Sequence, residues 1–292
     1  MYLNEFTQYI SQQKRYSNHT VIAYRKDIQL LQSYLLDQYE IEDWAVVSYQ
    51  MIRSYVVALM RDGITEKSVN RKLSSVRSFY KFLLRKGYVE SNPTAQIVAP
   101  KIPKRLPSYL KPAEVTQLLD QIVDYSSFES TRDNLLMTTM LVLGLRRSEV
   151  IGMKMCNVDI ARSTLSVIGK GNKERKLPLS EGYLQRYQNY LIRRDEQDIP
   201  HDFVFITNRG KPLYPKFIYN LVKSQIASVS AISKKSPHVL RHTFATLLSD
   251  NGAQITAIKD LLGHSSLAAT QIYTHSSIRA LQNAYIKAHP RS

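Results

Sequence analysis

Cysteine is nearly absent from this chain of 292 residues: Cys156 stands alone, which excludes an intramolecular disulfide and any zinc site built from several thiolates. It reads as a small core residue, with a catalytic role as the alternative. No stretch approaches the ~20 apolar residues of a membrane span, and the start Met1-Tyr2-Leu3-Asn4-Glu5-Phe6 lacks the basic segment and apolar run of a secretory signal. A soluble, cytoplasmic protein is expected. Negative charge is scarce as well, with 24 Asp and Glu against 40 Lys and Arg, a net charge of +16. The basic residues are spread along the chain instead of forming one tail, so the expected partner is a polyanion met across a wide surface. Nucleic acid comes first; a membrane surface is the other candidate. There is no His-Glu-x-x-His pair, no cysteine cluster and no group of aspartates, and the histidines of interest sit beside arginines that would repel a cation. No metal or other cofactor is expected.

What is present has the length for two domains, each with its own core. From Tyr2 to about Tyr88 apolar residues recur at three- and four-residue spacing, among them Ile22, Tyr24, Ile28, Leu31, Tyr34 and Leu35. This predicts helices over 2–13, 18–37, 48–62 and 66–86, capped at Asn18 or Ser17 for the second and at Thr65 for the fourth, with Gly63 and Gly87 as stops. Pro93, Pro100, Pro103, Pro107 and Pro112, interleaved with Lys101, Lys104 and Arg105, describe an extended basic linker. The division expected is a helical domain over 1–97, a linker over 98–111 and a second domain over 112–292. In the latter, 113–123 and 131–143 read as helices. Thr164–Ile168 and Arg175–Leu179 read as two strands around Gly169-Lys170-Gly171-Asn172, and helical patterns follow to the end.

The fourth helix carries Lys67, Arg71, Lys72, Ser74, Ser75, Arg77, Tyr80 and Lys81 among Val69, Leu73, Val76 and Phe79, so one face can pack while the other offers donors to phosphates and base edges. An ordinary solvated face is the plain alternative. The surrounding charge, with Thr20, Arg25 and Lys26 on the second helix, favours DNA.

Four short segments carry candidate chemistry. In Gly144-Leu145-Arg146-Arg147-Ser148-Glu149 one helix ends and another begins beside a guanidinium, a place to hold a phosphate oxygen. In Ser236-Pro237-His238-Val239-Leu240-Arg241-His242 a capped helix start puts His238 and Arg241 three residues apart on one face, a proton exchanger beside a fixed cation. His242 falls on a neighbouring face. Leu261-Leu262-Gly263-His264-Ser265-Ser266 reads as a helix stopped at Gly263, with His264 in the turn. Nine residues on comes Tyr273, in Gln271-Ile272-Tyr273-Thr274-His275. Each segment alone is equally a surface feature, and Tyr273 is one of 19 tyrosines.

Together, Gly144-Leu145-Arg146-x-Ser148-Glu149, Gly169-Lys170-Gly171-Asn172-Lys173, His238-x-x-Arg241-His242, Leu262-Gly263-His264 and Tyr273 occur in the order and spacing of the tyrosine recombinases. The whole chain resembles the compact Xer subgroup, down to the ending His289-Pro290-Arg291. The resemblance implies a mainly α fold: an N-terminal four-helix, SAM-like DNA-binding domain and a mostly helical catalytic domain with a small β-sheet, closing as a C-shaped clamp on duplex DNA. It implies Tyr273 as the nucleophile forming a 3'-phosphotyrosyl link, and Arg146, Arg241 and His264 on the nonbridging oxygens. Lys170 would be the donor to the departing 5' oxygen, with His238 assisting proton transfer and Lys173 a neighbour able to replace Lys170.

Double-stranded DNA at a recombination site would be the substrate, and Thr20, Arg25, Lys67, Arg71, Ser74, Arg77 and Lys173 are the candidate DNA contacts. Strand exchange through a Holliday junction, in a tetramer of identical or paralogous chains, would resolve chromosome dimers, with a septal DNA translocase as a possible activator. The stripe Ile278, Leu281, Tyr285 and Ala288 would pass to a neighbouring protomer. Arg147 departs from the apolar residue common at that position; a further DNA contact and a pair with Glu149 are its two readings. A type IB topoisomerase, a mobile-element integrase and a catalytically inactive architectural protein are the rivals. The lack of an arm-binding domain before Tyr2 favours the Xer reading, and the full residue set argues against lost catalysis.

Overall fold

Val69, Leu73, Val76, Tyr80 and Leu83 repeat at alternating intervals of four and three, and all five are buried. That stripe is the inner face of α4 (Glu66–Lys86), the centre of an N-terminal bundle completed by α1 (Tyr2–Gln12), α2 (Asn18–Tyr39) and α3 (Tyr49–Arg61). The computed structural model describes residues 2–103, 108–121, 125–169, 173–198 and 201–263. Phe6, Ile10, Ile28, Leu31, Leu35, Ile52, Tyr55, Phe79 and Phe82 fill the core, and Trp44 meets Phe79 edge-on with ring centroids 4.9 Å apart. Ser17 caps α2, its hydroxyl accepting from the backbone of Thr20. Thr65 occupies the cap position of α4 but makes no cap bond; its hydroxyl turns to Ser68. Gly87, with φ +72, ends α4. The helix α2 runs two residues beyond the predicted end and is closed by Glu40 at φ +56, where a residue other than glycine takes the left-handed conformation.

The chain separates into two compact units, Met1–Arg105 and Leu106–Ser292. Both ends of the proline-rich stretch are anchored: Asn70 donates to the Pro100 carbonyl in the first unit, and the fully buried Leu110 donates its backbone N–H to Thr243 in the second.

The second unit is organised around α6 (Phe128–Val142), which is buried on nearly every side and therefore shows little amphipathic contrast. Before it lies α5 (Pro112–Gln121), and after it come α7 (Arg147–Ile151), the antiparallel sheet β1 (Val158–Asp159), β2 (Thr164–Ile168) and β3 (Glu174–Pro178), then α8 (Glu181–Asp195), α9 (Pro215–Val229), α10 (Pro237–Asp250) and α11 (Ile255–Leu262). The sheet order is β1-β2-β3, with Leu165 opposite Leu177 and Val167 opposite Arg175. β1 is too short to leave a pattern in the sequence. Cys156 is exposed on the 3-10 turn Met155–Asn157, against the expectation of a core position: the inner side of the turn is taken by Met155, which packs against the core.

Candidate active site

Gly144 follows α6 with φ +59, and a Cβ there would lie 2.3 Å from the Phe244 ring of α10. Both the turn and the close approach demand glycine. Two residues on, Arg146 is the extended N-cap residue of α7. Glu149, in the first turn of that helix, accepts from the Arg146 backbone N–H at 2.8 Å through Oε2 and from Arg146 Nη1 at 2.8 Å through Oε1. The same carboxylate takes Arg175 Nη1 at 3.0 Å and Nη2 at 2.8 Å, while Arg241 Nη1 stands 3.9 Å away.

These three guanidiniums also meet at the end of α11. Arg175 Nε donates to the Leu261 carbonyl at 2.8 Å, Arg241 Nη2 to Leu262 at 2.5 Å and Arg146 Nη2 to Gly263 at 3.2 Å. Such terminal carbonyls have no partner inside their helix and carry the negative end of its dipole, so cations gather there. Arg241 Nη1 donates to the Gly144 carbonyl at 2.6 Å, joining α10 to the α6–α7 turn. α11 stops where the sequence predicts, at Gly263 with φ +62.

Three cations therefore surround one anion. Burial alone would raise the Glu149 pKa, but Arg175 and Arg146 outweigh it and hold the carboxyl below its usual range. Burial, then the charges of Arg146 and Arg175, push Arg241 down to about 10 against the opposing pull of Glu149, so it stays cationic at neutral pH. The Arg146 side chain is 29% exposed whereas those of Arg241 and Arg175 are 10% and 7% exposed. A guanidinium has five N–H donors; among the described residues Arg146 and Arg241 commit two each to the bonds above. A net positive cluster with free donors and one accessible edge is suited to an anion that presents two oxygens, such as a carboxylate or a phosphate.

Three residues before Arg241, His238 is exposed at the start of α10, behind Pro237. Partial desolvation lowers its pKa, and the charges of Lys234, Arg147, Arg241 and Arg146 add to the shift. Ser236 holds the cap position but forms no cap bond, and its hydroxyl is buried without a partner among the described residues. His242 turns away, its ring edge-on to Tyr109. Arg147 is exposed, and Glu149 pairs with the other arginines instead. Lys173 is exposed, and its carbonyl accepts from Gly169 at 2.8 Å to close the β2–β3 hairpin. Lys170, His264, Tyr273 and the 277–288 stripe lie outside the described residues. Sequence reading missed Arg175, whose only signal is its inward position in the alternation of β3.

In the N-terminal unit the candidate DNA contacts divide. Arg25 and Lys67 are exposed. Arg71 forms a two-pronged pair with the buried Asp27, Arg77 donates to the Ile97 carbonyl, Thr20 shares a hydrogen bond with Ser17, and Ser74 bonds to the Asn70 carbonyl. Ser74 and Arg77 line a cavity of about 440 Å³ together with Lys14, Lys81, Arg85 and Tyr9. Arg85 stacks its guanidinium over the Tyr9 ring at 4.2 Å. Basic and aromatic side chains thus share one concave face.

The phage integrase family model matches residues 108–279, and the model of the N-terminal SAM-like domain of phage integrases matches residues 3–87. The chain belongs to the phage integrase family. Among curated members, the tyrosine recombinase XerC of Halalkalibacterium halodurans is 35% identical over 299 residues, covering 100% of this chain and 98% of the relative. That of Bacillus subtilis is 33% identical over 294 residues, covering 98% and 95%. Among solved structures, the Tn1549 transposon integrase in complex with circular intermediate DNA superposes with a TM-score of 0.72 at 20% identity, covering 96% of this integrase-family chain and 98% of the other. The XerH recombinase bound to its difH substrate gives 0.70 at 17% identity, covering 99% and 92%. At those identities they establish the fold.

Proposed function

We propose that this member of the family is an Xer-type site-specific recombinase that cuts and rejoins duplex DNA through Tyr273. The observation that carries the reading is the convergence of Arg146 and Arg241 on one point, held by Glu149 and the end of α11, with donors left over. Attack on a phosphodiester builds charge on its nonbridging oxygens, and fixed guanidiniums meet that charge without reorganising. The Tyr273 oxygen bonds to phosphorus, the 5' oxygen leaves with a proton from Lys170, and a 3'-phosphotyrosyl link remains. His264 adds a further donor to the oxygens. His238, largely neutral at pH 7, accepts the phenolic proton. Because the phosphodiester energy stays in the covalent link, the 5' hydroxyl of another strand can attack and rejoin without ATP.

Thr20, Arg25, Lys67, Arg71, Ser74, Arg77 and Lys173 contact the duplex in this reading. Four protomers, identical or paralogous, exchange strands through a Holliday junction to resolve chromosome dimers, with the 277–288 stripe passed to a neighbour and a septal DNA translocase as activator. The decisive experiment traps covalent adducts of the native chain across the genome and recovers the attached DNA. One chromosomal site supports dimer resolution, element ends support a mobile-element integrase, and no adduct overturns the enzyme reading. Tyr273→Phe must abolish the adduct while leaving DNA binding largely intact.

A further inference from the structure

Arg175 is a basic side chain at an inward position of β3, where the alternation of buried and exposed residues calls for an apolar one. It is 8% exposed, and its guanidinium reaches two separate segments at once, with two N–H groups on Glu149 and Nε on the Leu261 carbonyl. Two glycines crowd the same nitrogen: a Cβ on Gly263 would lie 3.1 Å from Arg175 Nη1, and a Cβ on Gly169 would lie 3.3 Å from it. Gly169 immediately precedes Lys170, Gly263 immediately precedes His264, and Glu149 holds both the backbone and the side chain of Arg146.

From this geometry we infer that Arg175 is a positioning residue, which sets Arg146 and the chain leading into Lys170 and His264 in register with one another. It does so through contacts that no smaller cation can reproduce. A planar guanidinium spans a carboxylate and a carbonyl together, whereas an ammonium is a single point of charge. Arg175 also occupies Glu149 from the side away from solvent. Without it, the carboxylate keeps Arg146 and Arg241 as its partners among the described residues and draws both inward, away from a bound phosphate. The role assigned to Arg175 rests on the proposed recombinase reading for its catalytic consequence, though not for the coupling itself.

The test compares Arg175→Met and Arg175→Lys with Arg194→Met, a control at another buried arginine of the same unit whose bonds go to the His201 and Phe203 carbonyls. Amide hydrogen exchange on the full chain comes first. Both Arg175 variants must speed exchange around 168–174 and 261–263 together, and Arg194→Met must leave those segments at the native rate. Single-turnover cleavage of a nicked duplex, carrying the sequence recovered by adduct trapping, comes second. At saturating DNA, Arg175→Met loses about 100-fold in rate, the scale of a misplacement near 1 Å, with DNA affinity little changed. Arg175→Lys recovers only a small part.

Native exchange in either segment overturns the inference. So does a loss confined to affinity, or an equal cleavage loss in Arg194→Met. Where Arg175→Met does not fold, Arg175→Lys decides alone: a native cleavage rate or native exchange in it refutes the role. Absence of adduct from the native chain instead overturns the recombinase reading, and the exchange data still judge the coupling.

Discussion

Among the described residues each unit holds one buried carboxylate paired with basic side chains, Asp27 in the first and Glu149 in the second, and the two differ in what the partners have left to offer. In the N-terminal unit Asp27 accepts from Arg71 twice, from Lys72 and from Ser75, and the Arg71–Asp27 pair joins α2 to α4. In the C-terminal unit Glu149 is shared by Arg146, Arg175 and, at longer range, Arg241, whose remaining bonds go to helix-end and turn carbonyls. The first arrangement balances a buried anion and ties two helices together. The second concentrates more positive charge than it neutralises, an arrangement that is costly until an anion arrives. Similar chemistry thus ties helices together in one place and, in the proposed reading, serves a reaction in the other.

The sharpest way to break this comparison is to remove one charge from each network, a cation from the second and the central anion from the first. Arg241→Gln should slow single-turnover cleavage by about 100- to 1,000-fold, the usual consequence of losing one preorganised donor to a charged transition state. Asp27→Asn should leave the cleavage rate of the folded protein at saturating DNA unchanged. Its effect belongs to unfolding, where it should cost about 2–3 kcal/mol, discounted for the exposure of Arg71. The pH dependence has a definite sign. Arg71, Ser75 and Lys72 outweigh the burial of Asp27 and lower its pKa, so its stabilisation is present above the unfolded value and disappears as pH falls through the lower folded one. Denaturant melts at pH 7 and pH 3 measure it: the difference between native and Asp27→Asn protein should shrink in acid. A cleavage defect in folded Asp27→Asn would dissolve the distinction between the two networks.

Gly144→Ala should damage both properties at once. Its Cβ collides with Phe244 and its φ is left-handed, so a loss of about 1–3 kcal/mol is expected. Its carbonyl is a partner of Arg241, so cleavage should fall too. Pairing it with Phe244→Leu should recover stability more than rate, read by thermal unfolding beside single-turnover cleavage.

Histidine 238 gives a smaller effect. Its pKa is lowered by desolvation and neighbouring cations, so the neutral proton acceptor persists below the ordinary value of 6.5. The cleavage rate should therefore decline only on the acid side of that value, and His238→Gln should flatten that limb. An unaltered acid limb in the variant assigns the titration elsewhere.

The helices of the first unit were legible because α4 buries a regular stripe and Gly87 marks its end. The closing of α2 was not, since Glu40 carries no sequence signal for a positive φ. In the second unit Arg146 and Arg241 could be picked from their motifs, but their convergence could not: Arg241 meets Leu262 and Gly144 across 21 and 97 residues. Arg175 was invisible for a related reason. A basic residue in a strand reads as solvent-facing until its partners are known, and one of them is 86 residues away. Short-range periodicity yields elements; long-range charge pairing within a site leaves no period.

The gentlest test concerns the concave face lined by Lys14, Arg77, Lys81 and Arg85. If the N-terminal unit grips phosphates there while chemistry resides in the other unit, Lys81→Gln and Arg85→Gln should weaken DNA binding without altering cleavage at saturating DNA. Each phosphate contact releases condensed counterions, so each substitution should reduce the slope of log affinity against log salt by about 0.9. Arg85 sits over Tyr9, so its loss should also remove a cation–π contact and lower stability slightly. Lys81 lacks that contact and should change the salt slope alone, as titrations at several salt concentrations would reveal. An unchanged slope in both variants would place the phosphate contacts of this unit on another face, and Arg25 and Lys67, both exposed, would become the next substitutions to measure.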